Sequence, residues 1–245
     1  MPTTPKPAII KLGSTLPSLS AHRGDFEDWT LAGMGLGQAD VVVVDPRQGD
    51  PLPDPGSITG AVITGSHDMV TDHAQWSEET AAWLRSAVGA ALPILGICYG
   101  HQLLAYALGG SVGDNPRGLE FGTIKARLAR TAATDWLLGG LDSPLSVHAA
   151  HTQSAITLPD GARVLASSDR DPHLAFVIGE RAWGVQFHPE FDVEVTRTYI
   201  GVRREALLAA GQDPEALLKA CHPCPAGPEI LRRFAQLIAP AGSEP

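Results

Sequence analysis

Between Leu92 and Gly110 the chain reads LPILGICYGHQLLAYALGG. An apolar run enters a cysteine set between Gly96 and Gly100, and helical periodicity resumes at once. A short apolar run before such a break reads as a buried strand, and the spacing after it as a helix. A strand that turns directly into a helix belongs to βαβ architecture, with a parallel sheet and helices on its faces.

The flanking sequence repeats that alternation. PAIIKLG reads as a short strand, and GDFEDWTLAGMGLG as a helix that frays into glycines. ADVVVVDP, Ala39 to Pro46, reads as a buried strand, and GAVITGS, Gly60 to Ser66, as another. In AQWSEETAAWLRSAVGA, Trp76, Thr80, Trp83, Leu84 and Val88 recur at helical spacing, with Ser77 as an expected cap. The middle of the chain is strand-rich: FGTIKARLART, SPLSVHAAHTQSAITLP, ARVLASSD, LAFVIGE and AWGVQF. From about Phe191 the pattern turns helical, in VEVTRTYIGVRREALLAAG and GPEILRRFAQLI.

These patterns predict an α/β three-layer sandwich. A central, mostly parallel sheet carries helices on both faces, with an antiparallel extension and C-terminal helices. Residues 1–245 are expected to form one domain, with 196–238 as a helical extension that packs on the domain or builds a dimer face. The closing AGSEP is expected to be a disordered tail.

The formal net charge of −9 argues against nucleic acid or an anionic membrane as the main partner. Three cysteines, Cys98, Cys221 and Cys224, do not make a disulfide framework in a chain of 245 residues. The N-terminus MPTTPKPAII has no signal-peptide pattern, and no apolar run reaches membrane-spanning length. A cytosolic protein with reduced thiols is the expectation.

Ligands of parallel α/β sheets gather at the carboxyl ends of strands, which is where Cys98 falls. The segment is G-x-C-x-G, the thiol counterpart of the G-x-S-x-G nucleophile elbow. The helix that follows directs its positive end at the sulfur, which favours thiolate. A buried structural cysteine is the competing reading. A nucleophilic thiol needs a base. WGVQFHPEF, Trp183 to Phe191, ends an apolar strand on His188, Pro189 and Glu190. His188 is the candidate base, and Glu190 can bond its other nitrogen and orient the ring. Gly65, ending the strand of VITGS, and Tyr99, just after the cysteine, can present backbone N–H groups to a developing oxyanion.

Together GICYGHQ, GVQFHPE and ITGS, in this order and separation, resemble the class I glutamine amidotransferase (triad glutaminase) family. The resemblance runs from about Ala8 to Phe191. Through NPRGLEFG, HTQSAITLP and ASSDRDPH it looks closest to stand-alone members similar to the glutaminase domain of GMP synthase. It implies a flavodoxin-like fold and a Cys98–His188–Glu190 triad, with Gly65 and Tyr99 as the oxyanion hole. Cys98 would attack the γ-carboxamide of glutamine, and a γ-glutamyl thioester would be hydrolysed to glutamate. Gln102 matches a substrate-contacting glutamine. Ala149 and Ala150 match a strand whose backbone grips the amino-acid end. The resemblance implies no metal and no organic cofactor.

Three features depart from this pattern or extend it. In HTQS, Gln153 stands where several family members have an acid, and His151 reads as a polar residue near the substrate or as a satisfied buried histidine. The polar loop SHDMVTDHAQW, Ser66 to Trp76, is expected to line the pocket, with Asp68 or Trp76 touching substrate. CHPCP, Cys221 to Pro225, reads as a turn between helices, because a single C-x-x-C is a weak metal signal.

The chain carries no P-loop and no ATP-pyrophosphatase segment, so ammonia would pass to a separate synthase. A stand-alone γ-glutamyl peptidase uses the same thioester and is the alternative. A non-catalytic binding module is the third reading, and the intact triad counts against it. A homo-oligomer is compatible with any of these.

Overall fold

The structure is a computed structural model, and it describes residues 5–239. The expected AGSEP tail lies outside the described residues. The strands are β1 (Ala8–Ile10), β2 (Val42–Val44), β3 (Ala61–Ile63), β4 (Ile94–Ile97), β5 (Ser111–Asp114), β6 (Glu120–Leu128), β7 (Leu145–His151), β8 (Gln153–Thr157), β9 (Ala162–Ser167), β10 (Ala175–Ile178) and β11 (Ala182–Val185). The helices are α1 (Pro17–Arg23), α2 (Phe26–Met34), α3 (Gln75–Gly89), α4 (Tyr99–Ala107), α5 (Val193–Val202), α6 (Arg204–Ala209), α7 (Pro214–Ala220) and α8 (Ala226–Ile238).

Nine strands form one sheet in the order β2-β1-β3-β4-β11-β10-β9-β6-β7, and β5 pairs with β8 apart from it. From β2 through β11 neighbouring strands are parallel. From β11 through β7 they are antiparallel. The predicted three-layer architecture with its strand-rich extension is therefore present.

Side chains alternate across a strand, so each buried strand feeds two cores. Ile9, Val62, Leu95 and Ile97 join one apolar cluster with Leu31 and Met34 of α2 and Ile230, Leu231 and Phe234 of α8. Ala8, Ile10, Ile63 and Ile94 join the other, with Leu84 of α3 and Leu103 and Leu104 of α4. The two faces are thus covered by different helix pairs.

The C-terminal helices are close-packed on this frame. Cβ atoms added at Gly33 and Gly60 would come within 2.3 Å of Leu231 and 2.2 Å of Ile238. One at Gly227 would come within 2.5 Å of the Pro189 carbonyl, so α8 begins against the turn that holds His188.

Three local expectations need correction. The run at Val41–Val44 is only half buried: β2 is the sheet edge, and with no strand beyond it among the described residues Val42 and Val43 are 43% and 40% exposed, while Val41 and Val44 are buried. Ser77 does not cap α3. It lies inside the helix, buried, and its hydroxyl pairs with the Tyr99 hydroxyl at 2.7 Å, satisfying a buried phenol. The helix expected across VEVTRTYIGVRREALLAAG is two helices, interrupted at Arg203, where φ is −93° and ψ is 10°.

Candidate active site

β4 delivers Cys98 to the carboxyl end of the sheet, where it has φ 51° and ψ −99°, a positive-φ conformation outside the left-handed helical region that L residues rarely adopt. The crowding that requires small neighbours is direct. A Cβ on Gly100 would lie 2.4 Å from the Ile63 carbonyl oxygen. The Cys98 N–H donates to the Val185 carbonyl at 2.9 Å, tying the elbow to β11.

β11 continues toward His188, whose N–H donates to the His148 carbonyl at 2.8 Å. Its Nδ1 lies 2.7 Å from Oε1 of Glu190, with both side chains almost fully buried. Phe191 stacks on the imidazole with ring centres 3.9 Å apart, and Phe26 stacks beyond at 6.2 Å. Burial opposes charge on this ring, but the Glu190 carboxylate and the Cys98 sulfur outweigh it and hold His188 up at about 10.

Gly65 lies between the two reactive side chains. A Cβ there would sit 3.2 Å from His188 Cε1 and 3.7 Å from Cys98 Cβ. Gly13 buttresses this loop, since its own Cβ would meet the Gly65 carbonyl oxygen at 2.6 Å. The Leu12 N–H donates to Thr64 Oγ1 at 2.9 Å and locks the same segment. Tyr99 is the first residue of α4, so its N–H has no partner within the helix. Its ring is buried away, with burial pushing the phenol up to about 12.

A small cleft opens over Cys98. Of the residues singled out from the sequence, Cys98, Tyr99, Gln102, Ala150, His151, Gln153 and Asp68 line it, while Gly65, His188 and Glu190 lie behind its lining. Ala149 is not among the lining residues and pairs with Gly122 on β6. Trp76 does not line it either and packs against the Tyr99 ring with centres 5.6 Å apart.

Gln102 is buried, and its amide nitrogen donates to the Gln153 carbonyl at 2.8 Å and to Gln186 Oε1 at 3.0 Å. Both nitrogens of His151 face acceptors: Glu120 Oε2 at 3.1 Å and the Gln153 carbonyl at 3.1 Å. The ring is buried between these two acceptors at the edge of the cavity. The acid it pairs with comes from β6, and Gln153 instead bonds Thr71 and Asp114.

Tyr199, Arg203, Phe121 and Thr152 also line the cavity, as does His67 of the polar loop, and sequence patterning singles out none of them. Tyr199 and Arg203 are four residues apart at the end of α5. That helical spacing is legible in the sequence, but it points to the C-terminal extension rather than to the site. The Tyr199 hydroxyl bonds His67 Nε2 at 2.9 Å and Thr15 Oγ1 at 3.0 Å.

Cys221 and Cys224 are buried free thiols, and burial pushes Cys224 up to about 11. They flank the turn between α7 and α8. Among the described residues no group of three or more His, Cys, Asp or Glu side chains is arranged to hold a metal ion. None of the described helices is long and apolar enough to cross a membrane.

A family model described as glutamine amidotransferase class-I matches residues 39–201. The chain is 37% identical over 138 residues to the glutamine-hydrolyzing GMP synthase of Porphyromonas gingivalis, covering 56% of this chain and 26% of that protein. It thus spans about a quarter of that relative's length. It is 30% identical over 192 residues to one subunit of the glutamine-hydrolyzing GMP synthase of Saccharolobus solfataricus, covering 75% of this chain and 96% of that one. Among solved structures it is similar to a glutamine amidotransferase from Methylobacillus flagellatus, with a TM-score of 0.70 and 28% identity, covering 96% of this chain and 90% of that one. A glutamine amidotransferase from Thermotoga maritima shares the fold at a TM-score of 0.72 and 19% identity, covering 95% and 98% of the two chains. The chain belongs to the class I glutamine amidotransferases, a family of enzymes.

Proposed function

We propose that this chain hydrolyses the γ-carboxamide of glutamine through a γ-glutamyl thioester on Cys98. The observation that carries the reading is His188, buried beside Cys98 with its far nitrogen 2.7 Å from Glu190. A ring held that way can take the thiol proton and return it to departing ammonia. Glu190 orients the ring and stabilises its charged form. The N–H groups of Gly65 and Tyr99 receive the oxyanion of the tetrahedral intermediate. Water activated by His188 then releases glutamate.

The amide nitrogen of Gln102 is engaged by protein acceptors, so its carbonyl oxygen is what it offers a ligand. That oxygen accepts from the substrate α-ammonium, and the backbone at Ala150 grips the same end. Ala149, one residue earlier, holds this strand in register. His151 acts by bracing the β7–β8 turn.

Similarity to a protein that is one subunit of a GMP synthase supports passing the ammonia to a separate synthase. The helices after Phe191 belong to the same domain, since α8 packs on the sheet and on the His188 turn. The cytoplasm suits three free thiols.

Ammonia release from glutamine by the purified chain tests the reading, with Cys98→Ala as the blank. Release by wild type and none by Cys98→Ala supports it. Equal release by both overturns it.

A further inference from the structure

Tyr199 enters the site from α5, in the C-terminal helical part of the chain, and reaches two pieces of it at once. Its ring packs on Phe191 with centres 5.1 Å apart, and Phe191 stacks on His188. Its hydroxyl lies 2.9 Å from Nε2 of His67, two residues after Gly65. On the other side it lies 3.0 Å from Thr15 Oγ1. Burial pushes the phenol up, so the hydroxyl keeps its proton and can donate to one partner while accepting from the other.

Thr15 is a fixed support. Its N–H donates to Asp25 Oδ1 at 2.6 Å, and Asp25 caps α2 and pairs with Lys11 at 2.9 Å. The Tyr199 hydroxyl is thus anchored to the end of α2 on one side and holds His67 on the other.

The loop that carries Gly65 is secured unevenly. Its first half is clamped by backbone. The Leu12 N–H bonds Thr64 Oγ1, and a Cβ on Gly13 would lie 2.5 Å from Ser66 Cα. Beyond that point His67 and Asp68 are exposed, and Asp68 bonds Ser66 within the same loop. Among the described residues, the bond from His67 to Tyr199 is the one hydrogen bond that ties Ser66, His67 and Asp68 to another element. The Gly65 N–H donates to no group among the described residues, which leaves it free for an oxyanion. Such a donor works only where it waits at hydrogen-bond distance from the place the charge will form.

We infer that Tyr199 is a positioning residue for this loop: its hydroxyl holds His67 and so fixes the Gly65 N–H relative to Cys98 and His188. The inference rests on the reading of Gly65 as an oxyanion donor. Tyr199 acts on the transition state through the loop, and its ring contact with Phe191 is a separate tie to His188.

The test uses Tyr199→Phe in the purified chain, which keeps the ring on Phe191 and removes the hydroxyl. With glutamine, kcat should fall about tenfold, part of what loss of a whole oxyanion donor costs, while KM changes less than about twofold. Alkylation of Cys98 by iodoacetamide, followed by peptide mass mapping, needs the thiolate but forms no oxyanion. Its rate should match wild type. His67→Ala, at an exposed position, should reproduce the loss in kcat, and the double variant should lose no more than either alone.

An unchanged kcat in Tyr199→Phe overturns the inference. So does a rise in KM alone, which would make Tyr199 a substrate contact. Alkylation that slows in step with turnover overturns it too, since the hydroxyl would then act on the Cys98–His188 pair. Losses that add in the double variant would separate Tyr199 from the loop and also overturn it. All four outcomes leave the thioester reading standing, whereas glutamine turnover that persists in Cys98→Ala sinks that reading itself.

Discussion

Gly96 and Gly100 meet across the elbow: a Cβ on Gly96 would lie 2.5 Å from the Gly100 carbonyl oxygen. The obstruction is backbone on both sides, so no side chain can turn away to relieve it. Gly96→Ala should destabilise the fold by about 1–3 kcal/mol, the usual scale of overpacking. It should also displace Cys98, the next residue but one, and lower turnover. Urea denaturation together with ammonia release checks both effects. An alanine variant with unchanged midpoint and rate would show that the elbow tolerates the bulk.

Glu190→Gln keeps the shape of the side chain and removes its charge. By orienting and charge-stabilising His188, Glu190 should be worth about 100-fold or more in kcat. Stability carries a second signature. His188 is held up at about 10 against an ordinary value of 6.5. A raised folded value stabilises fully below about 6.5, and the contribution fades as pH rises through about 10. The stability gap between wild type and Glu190→Gln should therefore be widest near the lower end and narrow toward pH 10. Thermal melts across that window measure it, and a gap independent of pH contradicts the account.

His101 titrates in the opposite sense. Burial holds it neutral, and its value falls to about 4 despite nearby Asp171. Between about 6.5 and 4 the unfolded chain binds a proton that the folded chain refuses, so stability drops as pH falls through this range. His101→Gln removes that group and should flatten the acid side of the profile. Parallel melts of variant and wild type from pH 7 to about 4 decide it.

Gln102→Met removes the donor to Gln153 and Gln186 and the carbonyl offered to substrate. Because the proposed contact is with the unreacting end of glutamine, KM should rise about tenfold while kcat changes less. A fall in kcat with KM unchanged would instead place Gln102 at the reacting centre.

The strands and the elbow were legible because their causes are local. Gly96, Cys98 and Gly100 encode a turn that only small neighbours permit, and His188-Pro189-Glu190 encodes the end of a strand. Val42 and Val43 misled because burial depends on whether another strand lies beyond, which composition does not carry. Ser77 misled because its partner, Tyr99, lies on another helix. Arg203 and Tyr199 went unnoticed for a related reason: their helix comes back over Cys98 only in three dimensions. The acid beside His151 is Glu120 on β6, a neighbour that strand pairing creates and the local run HTQS does not reveal.

The central claim is that catalysis runs through a covalent bond to Cys98. A glutamine analogue with a chloroketone in place of the carboxamide, followed by peptide mass mapping, tests it most directly. One adduct on Cys98, forming as ammonia release is lost and blocked by excess glutamine, is the predicted result. Labelling confined to Cys221 or Cys224, or full activity after Cys98 is labelled, would contradict it.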